Sequence, residues 1–325
     1  MRLKGSFSEL CNDKKIPLLV IAGPTASGKT KLAVEMAKKF SGEVVSADSM
    51  QIYKYMNIGT AKPTEEEMQG IPHYMLDFLP PDEKFSVAEY VSQAKKIIAD
   101  IYSRGKLPIV AGGTGLYINS LIDNVEFSNV GESKELRDKF HNIAREKGNE
   151  HLFSMLYEID PEICKEMHPN NVSRVVRALE VYELTGKTMS WHKENSHSRP
   201  SDYNVCMIGL TYDDRQKLYD RVNKRVSVMV EMGLLKEAED LFSSIYCGTA
   251  KQAIGYKELK GYFDGTEDLE SCLDKIRMES RRYAKRQLTW FRRDERINWI
   301  KLDDIDDYNK ILQEAVDILA KSKIL

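Results

Sequence analysis

Eight consecutive residues do most to limit what this chain can fold into: Gly23, Pro24, Thr25, Ala26, Ser27, Gly28, Lys29 and Thr30. They match G-x-x-x-x-G-K-[ST], and their flanks give the match its meaning. Before them, Ile16–Ala22 (IPLLVIA) is a continuous apolar run of the kind buried on both faces of a sheet. After them, Leu32, Ala33, Met36 and Ala37 recur at helical spacing as far as Phe40. A strand, a glycine-rich turn and a helix start make an anion site. Glycines let the backbone wrap the ligand, successive N–H groups point inward, and the helix end adds partial positive charge. In such a loop Lys29 contacts the outer phosphate and Thr30 reaches Mg²⁺, directly or through water.

The same alternation continues downstream. Glu43–Ala47 and Lys106–Ala111 read as strands, with a helix over Val87–Tyr102 before the second. Strands alternating with helices predict an α/β fold with a parallel sheet. From about Asp123 to Ser198 the pattern turns helical, with helices expected over Ser133–Lys147, Glu150–Glu158, Pro161–His168 and Val172–Thr185. Tyr203–Leu210 returns to strand character, Asp214–Phe242 and Leu269–Phe291 read as long helices, and Ile297–Leu302 as a last strand before an amphipathic helix. The expected organisation is a core of residues 1–125 and 201–325 interrupted by a helical insertion, 126–200.

With 42% apolar and 30% charged residues in a chain of 325, the composition is that of an ordinary globular protein. The formal net charge of -2 excludes a polycation, so a nucleic-acid partner would require basic residues gathered on one face. Cys11, Cys164, Cys206, Cys247 and Cys272 are scattered, which argues against a CxxC metal site and for a reducing compartment. The segment MRLKGSFSELCNDKK lacks a signal-peptide apolar run, and no stretch is long enough to span a membrane. A cytoplasmic monomer is the expectation.

A phosphate loop does not name a reaction. A motor-type ATPase needs a carboxylate at the end of a neighbouring strand to hold Mg²⁺. The Lys106–Ala111 strand ends in Gly112-Gly-Thr-Gly115 without one, whereas Glu43–Ala47 is followed directly by Asp48. A lone carboxylate there could be a metal ligand, a general base, or both.

Several segments together resemble one family, the tRNA dimethylallyltransferases (tRNA isopentenyltransferases). They are Gly23–Thr30, Asp48–Tyr53 (DSMQIY), Ile58–Pro63 (IGTAKP), Pro72-His73, Gly112–Tyr117 (GGTGLY), Arg174–Glu180 (RVVRALE), Gly255-Tyr256 and Lys285–Trp290 (KRQLTW). They run in the family's order along nearly the whole chain, and unrelated phosphate-loop proteins have no reason to share them all. The resemblance implies a P-loop NTPase-like core with a helical insertion that binds tRNA. It implies transfer of a dimethylallyl group from its diphosphate to the N6 amine of the adenine 3′ of the anticodon, with Mg²⁺. Gly23–Thr30 would then grip diphosphate, Asp48 would be the general base, and Arg225 would hold the diphosphate. Thr114 would join the catalytic set and also touch tRNA. Further implied tRNA contacts are Ser49, Met50 and Gln51 with Asp48; Arg137; Ser173, Arg174, Val175, Val176 and Arg177; Gln252, Gly255, Tyr256 and Lys257; and Lys285, Arg286, Gln287 and Arg292. The family's Asn-x-Pro-Gln-Arg is here Asn171-Val-Ser-Arg174, without Pro and Gln, and the sequence ends without the C2H2 finger of some longer members, which suggests the short bacterial-type form.

These residue types suit the chemistry. An allylic C1–O bond breaks with carbocation character, so the catalytic problem is the charge developing on diphosphate, which amides, Lys29, Arg225 and Mg²⁺ would stabilise. The adenine amine is a poor nucleophile, and a carboxylate accepting its proton would help. The base would have to leave its stack. Arg277, Arg281 and Lys285 fall at i, i+4, i+8 within an arginine-rich helical run, a face for RNA or merely a solvated one. His73 has no second histidine at metal spacing and reads as structural. Trp290, Phe291 and Trp299 read as core, as do Met50, Met56 and Met75, which could instead line a slot for a five-carbon tail. Competing readings are a small-molecule kinase, a transferase acting on free adenine nucleotides, and a nucleotide-gated RNA-binding module.

Overall fold

A computed structural model of the chain describes residues 15–127, 130–196, 199–243, 249–303, 305 and 307–325. The N-terminal segment with Cys11 lies outside those residues, as do Cys247 and the Ser198 end of the expected helical region. The strands are β1 (Ile16–Ala22), β2 (Gly42–Ala47), β3 (His73–Tyr74), β4 (Leu107–Gly112), β5 (Tyr203–Thr211) and β6 (Ile297–Lys301), and they form one sheet in the order β3-β2-β4-β1-β5-β6. Every pairing is parallel. Both faces are therefore covered, which is why β1 reads as an unbroken apolar run.

The longer helices among the described residues are α1 (Lys29–Phe40), α2 (Val87–Ser103), α3 (Gly115–Ile122), α4 (Lys134–Lys147), α5 (Asn149–Ile159), α6 (Val172–Thr185), α7 (Arg215–Glu231), α8 (Leu234–Ser243), α9 (Leu269–Phe291) and α10 (Tyr308–Ser322). The chain divides into two units, Met1–Ile122 with Ser201–Leu325, and Asp123–Pro200. In the first, α1 buries Leu32, Ala33, Met36 and Ala37 against Leu19 and Ile21 of β1 and Ile109 of β4, with Ala315 and Leu319 of α10 in the same cluster. Each such leucine contributes roughly 1.5–3 kcal/mol by leaving water. The second unit has its own core, with Phe140 and Ala144 of α4, Leu152 and Leu156 of α5, and Val175, Val176 and Leu179 of α6.

Two sequence expectations fail for local reasons. The expected helix Asp214–Phe242 is broken into α7 and α8 at Gly233, whose φ of +102° is a left-handed turn. The helix expected over Pro161–His168 stops at Cys164. Beyond it Glu166 and Met167 donate to Ile163 and Cys164, tight i to i−3 turns, before His168 meets Pro169, and a residue preceding proline is disfavoured in the helical region. Cys164, Cys206 and Cys272 are buried free thiols.

Candidate active site

Register places the site. Ala22 of β1 and Ala47 of β2 both align with Gly112 of β4, so three adjacent strands end level. The loops leaving them, Gly23–Gly28, Asp48–Gln51 and Gly113–Thr114, emerge side by side across two inter-strand spacings, about 10 Å. The carboxyl edge of a parallel sheet is where such folds bind ligands.

The glycines of Gly112–Gly115 are needed because three different neighbours occupy the space of their missing side chains. A Cβ at Gly112 would lie 2.1 Å from the Ala47 carbonyl oxygen, one at Gly113 2.1 Å from the Gln287 amide nitrogen, and one at Gly115 2.2 Å from the Trp290 indole. Between them Thr114 laces the loop to the exit of β2. Its N–H donates to the Ala47 carbonyl (3.0 Å), and its Oγ1 accepts from the Ser49 N–H (3.0 Å). Asp48 Oδ1 accepts from the N–H groups of Met50 (2.9 Å) and Gln51 (3.3 Å), which fixes one carboxylate oxygen and leaves the other to act.

The phosphate loop is built as its sequence implies. Gly28 has φ +88° at the start of α1, Ser27 Oγ donates to the Pro24 carbonyl (2.8 Å), and Lys29 Nζ donates to the same carbonyl (2.6 Å). The N–H groups of Ala26, Ser27, Gly28, Lys29 and Thr30 have no protein acceptor among the described residues. Thr25 differs, because its N–H donates to Gln287 Oε1 (2.8 Å). The opposite wall comes from α7. Arg225 Nη1 donates to Thr25 Oγ1 (3.4 Å), and Arg221 Nε to the Ala26 carbonyl (3.0 Å). Burial, followed by the nearby Arg225 guanidinium, pulls the Lys29 ammonium down to about 7 against the opposing pull of Asp48. Burial likewise lowers Arg225 while Asp48 draws it back up. A buried ammonium and a buried guanidinium within the field of one carboxylate favour an anion between them.

Helix α9 reaches into the same place. Gln287 is 5% exposed, and its Nε2 donates to the Gly113 carbonyl (3.0 Å). Both ends of its amide are thus engaged inside the protein, clamping the phosphate loop to the Gly113 turn. Its side chain is therefore committed to Thr25 and Gly113 within the protein. Tyr283, which no motif pointed to, lies among Asp48, Thr114 and Gln287; burial and then the charge of Asp48 push its phenol up, so it remains a hydroxyl donor.

Other expected contacts divide in the same way. In the first unit Tyr256 is fully buried, Gly255 is buried, and Gln252 and Lys257 are exposed. The Gln51 amide donates inward to the Thr60 (3.3 Å) and Ala61 (2.9 Å) carbonyls, and Met50 packs partly on the cluster of Ile52, Met56 and Tyr256. In the second unit Val175 and Val176 belong to the core, while Ser173 and Arg174 are exposed. Arg137 and Arg177 converge on fully buried Glu180, at 2.9 and 2.6 Å. Burial works to raise that carboxyl, but Arg177, the Ser133 amide and Arg137 hold it below its usual range.

The basic run on α9 changes character along its length. Arg277 pairs with Glu270 and Asp274, Arg281 Nη1 donates to Asn223 Oδ1 (2.8 Å), and Arg282 pairs with Glu279. Toward the end, Lys285, Arg286, Arg292 and Arg293 are exposed and have no carboxylate partner among the described residues. On the face expected from Arg277, Arg281 and Lys285, Arg277 is neutralised by two carboxylates, Arg281 keeps its charge but is tied to the neutral Asn223 amide, and Lys285 is exposed with no carboxylate partner among the described residues. His73 Nδ1 lies 2.8 Å from the Ile71 carbonyl, and burial lowers its pKa. Among the described residues no cluster of three His, Cys, Asp or Glu suits a metal ion, and no helix is long and apolar enough to cross a membrane.

A family model described as IPP transferase matches residues 51–294. The chain is 51% identical over 308 residues to a tRNA dimethylallyltransferase of Thermoanaerobacter sp. (strain X514), covering 94% of this chain and 98% of that one. It is 54% identical over 305 residues to a tRNA dimethylallyltransferase of Acetivibrio thermocellus, covering 93% and 97%. Among solved structures, the tRNA isopentenylpyrophosphate transferase of Bacillus halodurans superposes with a TM-score of 0.71 at 44% identity, covering 95% of this chain and 97% of that one. A eukaryotic dimethylallyltransferase acting on tRNA superposes at 0.78 with 30% identity, covering 94% and 80%.

Proposed function

The chain belongs to the IPP transferase family, and from that premise we propose how its own residues move a dimethylallyl group from dimethylallyl diphosphate to an adenine of tRNA. It is a prenyltransferase with a P-loop NTPase-like sheet. The acceptor is the N6 amine of the adenine 3′ of the anticodon, and the products are the prenylated tRNA and diphosphate. One observation supports this reading above the others: the amides of Ala26–Thr30 have no protein acceptor among the described residues, and beside them the buried Lys29 ammonium is depressed by burial and by the Arg225 guanidinium, with Asp48 acting on both cations. An anion belongs between the cations, and a proton acceptor already stands beside them.

The amides of Ala26–Thr30, Lys29 and Arg225 bind the diphosphate and take up the charge that develops on it as C1–O breaks. Thr25 and Gln287 hold the loop in shape. The second oxygen of Asp48 accepts the amine proton as the new C–N bond forms, and Thr114 and Tyr283 orient that carboxylate's surroundings. The Thr30 hydroxyl, one Asp48 oxygen and diphosphate oxygens are a hard-oxygen donor set that fits Mg²⁺. Bound there, the ion would neutralise charge on the leaving diphosphate. Arg174 on the helical insertion, and Gln252, Lys257, Lys285, Arg286 and Arg292 on the core, hold tRNA by phosphate contacts. The working form is a cytoplasmic monomer.

The test is to incubate the protein with labelled dimethylallyl diphosphate and bulk unmodified tRNA, with AMP and ATP as alternative acceptors. Label enters tRNA and neither nucleotide. Label in AMP or ATP, or movement only of a phosphoryl group from ATP, would overturn the reading.

A further inference from the structure

Two motifs, Ile58–Pro63 and Gly255-Tyr256, have no part in the reaction as described, yet they meet at one carboxylate. Glu237 of α8 accepts from three successive backbone N–H groups: Asn57 at 2.8 Å, Ile58 at 2.9 Å and Gly59 at 2.9 Å. Its Oε1 also accepts from the Tyr256 hydroxyl at 2.7 Å. Consecutive amides turned toward one anion make a nest of the same type as a phosphate loop, filled here by the protein's own side chain. The Tyr256 ring presses on Gly59, where a Cβ would lie 2.5 Å from it, so a side chain at 59 would push the hydroxyl off the carboxylate. Gly255, with φ +99°, makes the turn that sends Tyr256 inward. Burial and then the Glu237 charge push the Tyr256 phenol up, so it stays a donor.

The other side of this turn supports the segment that carries the base. Gln51 donates to the Thr60 and Ala61 carbonyls, and Lys62 Nζ donates to the Tyr53 carbonyl (2.7 Å), Asn57 Oδ1 (2.8 Å) and Asp77 Oδ1 (2.5 Å). The Gln51 N–H is in turn one of the two that hold Asp48 Oδ1. Hydrogen bonds therefore run without a gap from Tyr256 and Glu237, through the 57–61 backbone, to Gln51 and Asp48.

We infer that Glu237 is a positioning residue for the transfer step: it fixes the turn on which Asp48–Gln51 rests and so sets how that segment meets the acceptor adenine, touching neither substrate. This rests on the reading of Asp48 as base and of Asp48–Gln51 as the adenine-facing segment. The test compares Glu237→Gln with the parent in the full chain. Competent sites are counted by titration with a thio analogue of dimethylallyl diphosphate, and rates are expressed per competent site. Donor affinity stays within about two-fold of the parent, while KM for tRNA rises and kcat falls, lowering kcat/KM by about 10- to 100-fold, the scale of one or two hydrogen bonds to a charged acceptor. Glu237→Asp keeps the charge and recovers part of the loss, and Tyr256→Phe, which removes one bond of the set, costs about five-fold. If only the number of competent sites falls and kcat/KM per site matches the parent, Glu237 serves stability alone and the inference is overturned. It is equally overturned if the whole loss lies in donor affinity. Failure of the underlying reading looks different: the parent itself leaves tRNA unlabelled, or Asp48→Asn retains full turnover.

Discussion

Diphosphate binding should draw a proton from solution, and the depressed Lys29 says how much. In the free protein, burial and Arg225 hold this lysine at about 7, against an ordinary 10.5. A bound diphosphate places negative charge against it and restores the charged form. The free site therefore loses its lysine proton as pH rises through 7, while the occupied site keeps it to near 10, so uptake occurs between those limits and donor affinity weakens as pH rises within them. At pH 8 the free lysine is about one-tenth charged, giving an uptake of about 0.9 proton per site; from pH 7 to 9 the dissociation constant rises by about 50-fold. The ligand's own last ionisation, near 6, falls below the window. Titration calorimetry with the thio analogue of dimethylallyl diphosphate, which lacks the extra high-pH ionisation of inorganic diphosphate, in two buffers of different ionisation enthalpy, reads the uptake directly, and Lys29→Met should abolish it. An uptake below about 0.2 proton at pH 8, or an affinity flat between pH 7 and 9, would refute the argument.

Asp48→Asn keeps an acceptor for the Met50 and Gln51 amides but cannot take a proton, and should cut turnover by roughly 10²–10⁴-fold with tRNA affinity little changed; single-turnover rates at saturating donor check this. Gln287→Leu leaves the buried Thr25 N–H and Gly113 carbonyl unpaired at a cost of about 1–3 kcal/mol each, so thermal denaturation should show a large loss of stability together with weakened diphosphate binding. Gly112→Ala drives a methyl into the Ala47 carbonyl, backbone that cannot step aside, and should abolish accumulation of folded protein, as measured by soluble yield and circular dichroism. Replacing Arg286 and Arg292 together should weaken tRNA binding and reduce the slope of log affinity against log salt by about one to two; a slope equal to the parent's would assign both to structure.

The parts of this molecule written in local sequence were legible before any coordinates. IPLLVIA, EVVSA and the loop between Gly23 and Thr30 announce strand, strand and anion nest because each depends on neighbours a few residues apart, and α9 starts and ends where its periodicity says. What depends on remote partners was not. Nothing near Gly233 in sequence separates a broken helix from a continuous one, since a single glycine is tolerated in either. Gln287 sits in a basic run and reads as part of it; only the fold reveals that its amide joins residues 262 and 174 positions away. Val175 and Val176 follow exposed Arg174 and Tyr256 precedes exposed Lys257, and their burial is decided by helix phase and by the turn that meets Glu237. The one available signal was the glycine content of the motifs: Gly59, Gly112, Gly113 and Gly115 each mark a place where another element presses in, though not which one.

The pairing of β1 has a consequence for how the chain is made. One edge of β1 is covered by β5 along its whole length, Ile16 to Tyr203 through Ala22 to Gly209, so β1 waits about 190 residues of synthesis for that neighbour. At 5–20 residues per second the wait is about 10–40 s. Throughout it an apolar ribbon with unpaired amides is open to other nascent chains, while the segment Asp123–Pro200, whose core is self-contained, is already able to fold. Slowing translation within that segment lengthens the interval of risk, and a chaperone that shields β1 during synthesis would raise the yield of active enzyme more than one acting on the finished chain.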